Sequence, residues 1–167
     1  PATTTGEIGA VGDRRKEFPL VRSAKITTHG IPTRDFQGEC RDMMNINGKL
    51  LEVEQHGEGD AMIMVHGLGG SSNAWHPQAT ILSRSFHVIR PDMEGSGRSP
   101  AKGKITIATL AKDITKLMDK LNIKSAHLLG HSMGTIVCQH IAAGSPSRVK
   151  SLALLGPLAE PPAPARG

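Results

Sequence analysis

The chain has 167 residues, of which 38 % are hydrophobic and 21 % are charged, an ordinary balance for one globular domain with a core. Its net charge is +5, but the charges are dispersed and the longest basic run is Arg14-Arg15-Lys16. No apolar run approaches the ~18 residues of a membrane-spanning helix. We therefore expect neither a nucleic acid nor a membrane as a partner.

Two cysteines, Cys40 and Cys138, do not make a disulfide framework or a metal site. We expect both thiols to be reduced and the protein to be cytoplasmic, with no cofactor and no metal. Residues 1–40 lack the apolar segment of a secretory signal and contain several acids, so we expect an irregular N-terminal arm there. At the other end, residues 158–167 are rich in Pro and Ala and predict an unpacked tail.

The segment 41–157 between them alternates strands and helices. Asn47-Gly48 is the favoured two-residue turn of a β-hairpin, and the apolar run 61–65 predicts a strand buried on both faces. Asn73 or Ser72 could cap a helix through Trp75 to about Leu82, and a strand over 85–89 follows. Thr106 is the predicted cap of a helix with an apolar stripe at Leu110, Ile114, Leu117, Met118 and Leu121.

The stretch that organises the chain is Gly130-His131-Ser132-Met133-Gly134, with an apolar strand over 126–129 before it and a helical pattern over 133–143 after it. A Gly-x-Ser-x-Gly motif between a strand and a helix predicts a nucleophile elbow. A final strand is expected over 149–155. The pattern predicts a mostly parallel α/β sheet flanked by helices, with the loops after its strands gathered at one end.

An acyl-transfer site needs a nucleophile and donors for the developing oxyanion. Ser132 is the candidate nucleophile, and the backbone N–H groups of Met133 and Leu68 are the candidate donors. Leu68 follows His66-Gly67 in a glycine-rich loop at the end of the strand over 61–65. The loops containing Leu68 and Ser132 should lie side by side.

Three motifs together resemble the α/β-hydrolase fold family: His66-Gly67-Leu68-Gly69-Gly70 with Trp75 behind it, Asp92 to Ser99, and the Ser132 elbow. In look the chain is similar to 3-oxoadipate enol-lactonases and carboxylesterases. The resemblance implies a serine hydrolase acting on a small-molecule ester or lactone through an acyl-enzyme. It also implies that Gly67 and Trp75 contact substrate, although Trp75 could instead pack in the core. His66 and Asp92 are expected to brace loops.

The chain departs from the family where the triad acid and histidine should follow the nucleophile. After Ser132 there are only His140, two helical turns along the next helix, and Glu160 in the tail. We therefore expect a truncated fold that lacks the lid and the C-terminal strands, and a chain that is inactive alone. A non-catalytic pseudo-hydrolase that binds a partner is the alternative, and an inactive structural remnant is a third possibility. Oligomeric state is not predicted.

Overall fold

The structure is a computed structural model that describes residues 33–34 and 40–157. Most of the predicted arm and all of the predicted tail lie outside the described residues. One part of the arm differs from the prediction, because Thr33–Arg34 forms a short strand paired with the strand that begins at Cys40. The irregular composition of residues 1–40 gave no signal for this pairing.

Seven strands form one sheet within the described residues. They are β1 (Thr33–Arg34), β2 (Cys40–Ile46), β3 (Lys49–His56), β4 (Asp60–Val65), β5 (Phe86–Pro91), β6 (Ala126–His131) and β7 (Val149–Leu155). The order across the sheet is β1-β2-β3-β5-β4-β6-β7. Strands β5, β4, β6 and β7 are parallel to one another, whereas the pairs β1/β2, β2/β3 and β3/β5 are antiparallel. The predicted α/β fold, a mostly parallel sheet flanked by helices, is confirmed, and the antiparallel pairs lie at the N-terminal side of the sheet.

The predicted hairpin joins β2 to β3. Asn47 and Gly48 both have positive φ, 52° and 77°, as a two-residue turn between twisted strands requires. Ile46 pairs with Lys49 directly across the turn, and the ladder continues to Cys40 opposite Gln55. The turn therefore fixes which face of β3 enters the core.

Three α-helices cover the sheet within the described range: α1 (His76–Leu82), α2 (Ile107–Lys120) and α3 (Met133–Gly144). Four residues of the predicted stripe of α2 are buried, and the fifth, Leu121, follows the end of the helix and is partly buried. Thr106 closes a capping box with Thr109 at the start of α2. Residues of α2 and α3 share a core cluster with β3, β4 and β6, whereas α1 contributes to a smaller cluster around Trp75 and Met64. The sheet is thus sandwiched between α2 and α3 on one face and α1 on the other.

The start of the first helix differs from the prediction. Residues Ser72–Trp75 form a 3-10 turn, and no side-chain cap bond is made at the start of that turn or at the start of α1. Ser72 does not cap because its polar groups bond to distant carboxylates: its N–H donates to Asp92 and its hydroxyl donates to Glu54. Hydrogen bonds to Asp92 and Glu54 therefore take the place of the expected local helix cap.

Strand β7 is the edge of the sheet. Most of its residues are exposed, including Leu152 at 38 % and Leu155 at 40 %. Along residues 33–34 and 40–157, no helix has the length and apolar character needed to cross a membrane.

Candidate active site

Ser132 lies at a strained turn between β6 and α3. Its φ is 51° and its ψ is −118°, a region that residues with a side chain rarely adopt. The two glycines of the motif permit this turn. A Cβ on Gly130 would lie 2.6 Å from the carbonyl oxygen of Gly134, and one on Gly134 would overlap the carbonyl oxygen of Val65. The Gly-x-Ser-x-Gly spacing is therefore required by the close approach of α3 to the sheet.

The backbone of Ser132 is held on both sides. Its N–H donates to the carbonyl oxygen of Leu155 at 3.0 Å, at the end of β7. Its carbonyl oxygen accepts from the N–H of Thr135 at 2.9 Å and from the Thr135 hydroxyl at 2.6 Å. Among residues 40–157, no group is hydrogen-bonded to the Ser132 hydroxyl. The backbone of Ser132 is thus held by hydrogen bonds, while the hydroxyl of its half-buried side chain has no hydrogen-bond partner among the described residues.

The loop after β4 packs directly against Ser132. A Cβ on Gly67 would lie 3.1 Å from the Cβ of Ser132, so any other residue would crowd Ser132. The Gly70 N–H donates to the Gly67 carbonyl oxygen at 3.1 Å, closing a turn with Leu68 and Gly69 at its centre. Gly69 has φ 72°, as expected at the third position of a type II turn. The Leu68 side chain at the second position is 85 % exposed.

His66 braces this loop from within the core. The Met93 N–H donates to its Nε2 at 3.0 Å, so Nε2 carries no proton, and Nδ1–H donates to the Gly67 carbonyl oxygen at 2.8 Å. Both ring nitrogens are occupied and the residue is fully buried. The bracing role expected for His66 is confirmed, and the ring cannot also accept a proton from Ser132.

Asp92 ties two loops together after β5. One carboxylate oxygen accepts from the Ser72 N–H at 2.6 Å and the other from the Arg98 N–H at 2.8 Å. Its backbone carbonyl accepts from the Ser99 hydroxyl at 2.7 Å. With 2 % of its surface exposed, Asp92 links the segment after the glycine-rich loop to the 92–99 loop, as expected.

A buried charge network lies behind Ser72. Glu54 accepts from the Ser72 hydroxyl at 3.0 Å and pairs with Arg90, which is fully buried and donates to the Ser72 carbonyl oxygen at 3.2 Å. Burial raises the pKa of Glu54, but the hydrogen bond from His56 and the charges of Arg90 and Arg41 outweigh it, so the pKa lies below its ordinary value. The network keeps Ser72 in place with ionised partners.

Of the other candidate residues, Trp75 is buried, whereas His131 and His140 are exposed. Trp75 is 3 % exposed and packs with Met64, with its ring edge to the ring of His131, 6.3 Å between centroids. It does not line the groove described below. His131 is exposed beside the elbow, and His140 is exposed on α3. Neither histidine is hydrogen-bonded to Ser132.

A groove of about 380 Å³ opens beside the glycine-rich loop. It is lined by residues 68–70 and 93–97, and by Ile105, Leu110 and Met133. Leu68 and Met133, the two candidate oxyanion donors, therefore line the same groove. Across residues 33–34 and 40–157, no cluster of three or more His, Cys, Asp or Glu side chains is placed to hold a metal ion.

One feature near the groove was missed by sequence reasoning. Glu94 lines the groove but turns its carboxylate inward to an ion pair with Lys49, which also pairs with Asp113 at 2.8 Å. Burial raises the pKa of Glu94, but the hydrogen bonds from Lys49 and from the N–H groups of Lys102 and Gly103 lower it below its ordinary value. Charges 45 and 64 positions apart give no local pattern that could have revealed this pairing.

The elbow, the glycine-rich loop and the sheet order together match one family. A sequence profile for the alpha/beta hydrolase fold matches residues 60–166. The chain belongs to the α/β hydrolase fold family. The resemblance predicted from the three motifs is thereby confirmed.

Similar α/β hydrolases carry several names. The chain is 38 % identical over 116 residues to the protein named carbamate hydrolase RutD of Variovorax paradoxus, covering 66 % of this chain and 44 % of that one. It is 31 % identical over 110 residues to (E)-2-((N-methylformamido)methylene)succinate hydrolase of Acinetobacter baylyi, covering 65 % and 42 %. The chain thus spans less than half the length of these curated relatives.

Among solved structures, a hydrolase from Pseudomonas aeruginosa superposes with a TM-score of 0.64 at 30 % identity, covering 72 % of this chain and 46 % of that one. An epoxide hydrolase from Vigna radiata superposes with a TM-score of 0.70 at 28 % identity, covering 74 % and 41 %. These structures share the fold of the described region.

Proposed function

We propose that Ser132 is the nucleophile of a serine hydrolase that acts on a small-molecule ester or lactone. The observation that carries the proposal is the positive φ of Ser132 at the turn from β6 into α3. Strain of this kind persists only where the surrounding structure enforces it, and such strain is concentrated at functional sites. An elbow of this geometry exposes the serine oxygen beyond the end of the sheet.

In this mechanism the Ser132 oxygen attacks the substrate carbonyl, and the carbonyl oxygen becomes negatively charged. The backbone N–H groups of Met133, at the first turn of α3, and of Leu68, in the glycine-rich loop, are the donors that would hold this charge. Collapse of the intermediate breaks the C–O bond to the alcohol oxygen, which takes up the proton lost by Ser132 and in a lactone remains attached to the acyl group. Water then hydrolyses the acyl group from Ser132. Gly67 contributes by letting the loop approach Ser132 closely.

The proposal leaves the general base and its acid unassigned in this chain. His66 is fully engaged by Gly67 and Met93, and His140 lies on the exposed side of α3. The names of the relatives, a carbamate hydrolase and a hydrolase of a succinate derivative, agree with acyl transfer to water as the reaction class. We also propose that the protein is cytoplasmic, as expected from its sequence.

A non-catalytic binding protein is the second candidate. The observation that favours it is that no base among residues 40–157 is hydrogen-bonded to the Ser132 hydroxyl. In this case the elbow would persist as a structural remnant, and the groove beside Leu68 would bind a ligand without turnover.

Covalent labelling separates the two candidates. The purified chain is incubated with a fluorophosphonate, and the modified residue is identified by mass spectrometry. Ser132→Ala should abolish the labelling, whereas Ser151→Ala should not, although the Ser151 hydroxyl lies 2.7 Å from His127 Nδ1 on the sheet. If the folded chain, shown by circular dichroism to be native, remains unlabelled at Ser132, the hydrolase proposal fails for this chain by itself and the binding protein is favoured.

A further inference from the structure

A second groove lies between helix α2 and the hairpin of β2 and β3, and we call it the α2 groove. Its volume is about 440 Å³, and it shares no residue with the groove beside the glycine-rich loop. It is lined by Asn47, Lys49, Thr109, Lys112, Asp113, Thr115, Lys116 and Asp119. All of these side chains are polar or charged, so the α2 groove is not a site for an apolar ligand.

The two walls of the α2 groove are joined by hydrogen bonds. The Asn47 amide donates to one oxygen of the Asp113 carboxylate at 2.9 Å, and the Lys49 ammonium donates to the other at 2.8 Å. Farther along α2, the Lys120 ammonium donates to the carbonyl oxygen of Asn45 at 3.1 Å. Because Asp113 is 1 % exposed, its bonds are shielded from water. The hairpin is therefore held against α2 before any ligand binds.

Three lysines of α2 lie in one line along this side of the helix. Lys112, Lys116 and Lys120 repeat every fourth residue, so they are about 6 Å apart along the helix axis. All three are exposed, and among the described residues no carboxylate pairs with any of them. Like charges at this spacing destabilise a helix. The helix dipole offsets the repulsion in the last turn, at Lys120, but not at Lys112 in the middle of α2.

The buried carboxylates beneath the line of lysines are balanced by other cations. Glu94 and Asp113 share the ammonium of Lys49. The Lys102 ammonium lies at the same hairpin, where it donates to the Gly48 carbonyl oxygen at 2.6 Å, and it supplies the second positive charge. The two buried carboxylates therefore do not neutralise the lysines of α2.

The exposed carboxylate of the α2 groove is also paired. Asp119 forms an ion pair with Arg148 at 2.9 Å. With these charges balanced, the positive charges of Lys112, Lys116 and Lys120 remain. Three surplus positive charges, in a chain with a net charge of +5, therefore lie along one side of α2.

From this arrangement we infer that the α2 groove binds an acidic peptide segment of a partner protein, with Lys112 and Lys116 contacting its carboxylates. In an extended peptide, alternate side chains point to the same side and are about 7 Å apart, which is close to the spacing of the lysines. The side-chain oxygens of Asn47 and Thr115 line the groove and can accept hydrogen bonds from the peptide backbone. The inference does not depend on whether Ser132 is a nucleophile.

The lining of the α2 groove favours a peptide over a nucleic acid or a lipid surface. Single-stranded nucleic acids bind to aromatic side chains on which their bases stack. Basic helices that bind membranes carry large apolar side chains next to the basic ones. The α2 groove is lined by neither kind of side chain. An acidic peptide needs only the cations and the hydrogen-bonding groups that are present.

The test is a titration of the chain with a dye-labelled peptide of alternating Glu and Ser, followed by fluorescence anisotropy. The control peptide has Gln in place of Glu. The acidic peptide should bind at least about tenfold more tightly in low salt, and high salt should reduce this preference because exposed charges are screened. Amide NMR should show shifts at Asn47, Thr109 and Thr115, which line the α2 groove. Equal affinities for the two peptides, or shifts confined to other regions, would overturn the inference.

Variants separate the α2 groove from the net charge of the chain. Lys112→Glu should weaken binding of the acidic peptide about fivefold or more, whereas Lys112→Arg keeps the charge and should change the affinity less than about twofold. Arg84→Glu alters the net charge by the same amount as Lys112→Glu, at an exposed position after α1 on the other face of the sheet. Its affinity should stay within about twofold of that of the wild-type chain. If Arg84→Glu and Lys112→Glu weaken binding equally, only net charge matters and the inference is wrong.

Two other ligands test the class of the partner. An oligothymidylate with as many charges as the acidic peptide, and vesicles of phosphatidylcholine and phosphatidylserine, should both bind more weakly than the peptide. If either binds more tightly and Lys112→Glu abolishes that binding, the surface recognises a nucleic acid or a membrane and the inference is wrong. Ser132→Ala should bind the acidic peptide as tightly as the wild-type chain does, and a large loss of affinity in this variant would contradict a site separate from the elbow.

Discussion

Replacement of Asp92 by Asn should destabilise the chain by about 3 kcal/mol. Each carboxylate oxygen of Asp92 accepts one backbone N–H, from Ser72 at 2.6 Å and from Arg98 at 2.8 Å. An amide offers only one oxygen, so one of these N–H groups would face an NH₂ group. A hydrogen bond to a charged acceptor contributes about 1.5–3 kcal/mol, and a buried donor without an acceptor costs a further 1–3 kcal/mol.

Urea unfolding measures this loss. The single tryptophan, Trp75, is buried at 3 % exposure and reports the transition by its fluorescence. With a denaturant dependence of about 1.5 kcal/mol per molar urea, 3 kcal/mol lowers the midpoint by about 2 M. The control is Asp119→Asn, because the Asp119 carboxylate pairs with Arg148 at 2.9 Å but is half exposed. That change should cost less than about 1 kcal/mol. Equal midpoints for the two variants would refute the reasoning that Asp92 stabilises the loops.

Three further predictions concern separate regions. Leu68→Pro removes one proposed oxyanion donor at a turn position that accepts proline, whereas Leu68→Ala keeps the N–H. Labelling of Ser132 should therefore be about 10²–10³-fold slower in Leu68→Pro than in Leu68→Ala. Similar labelling rates would remove Leu68 from the mechanism. Lys49→Met leaves two buried carboxylates without their cation and should cost about 3 kcal/mol or more in urea unfolding at pH 7. The difference in unfolding free energy between the wild-type chain and Lys49→Met should be smaller at pH 4. In the wild-type chain the pKa of Glu94 is lowered, so the stability that Glu94 contributes is lost as the pH falls from 4.5 through that pKa. In Lys49→Met, protonation removes the charge of the unpaired carboxylates and the variant regains stability. A stability difference that does not change with pH would contradict this reasoning. Burial raises the pKa of the Cys138 thiol to about 12. In a Cys40→Ala background, a thiol reagent should therefore modify Cys138 only as fast as the chain unfolds. An immediate reaction would contradict the burial of Cys138.

Local chemistry explains which elements could be predicted from the sequence. The Asn47-Gly48 turn, the helix cap at Thr106 and the apolar stripe of α2 each depend on residues within a few positions of one another. The elbow is equally local, because the approach of α3 to β6 requires Gly130 and Gly134 within one short motif. These features were predicted with nearly the bounds that the structure has.

The contacts that were not predicted all join distant positions. Ser72 was one of two expected helix caps, but its N–H and its hydroxyl bond to Asp92 and Glu54, 20 and 18 positions away. The Lys49 ion pairs likewise depend on which strands become neighbours. Since strand order is set by the whole sheet, no window of sequence contains that information.

The hydrogen bond from the Ser132 N–H to Leu155 links the proposed nucleophile to β7, an edge strand of the sheet. Edge strands detach from their neighbours more readily than central ones, and a local opening of this kind does not require the core to unfold. Exchange of the Ser132 amide proton with solvent deuterium therefore measures the release of β7 from β6, not the global stability of the domain. The rigidity of the elbow is thus set by how firmly the border of the sheet is held.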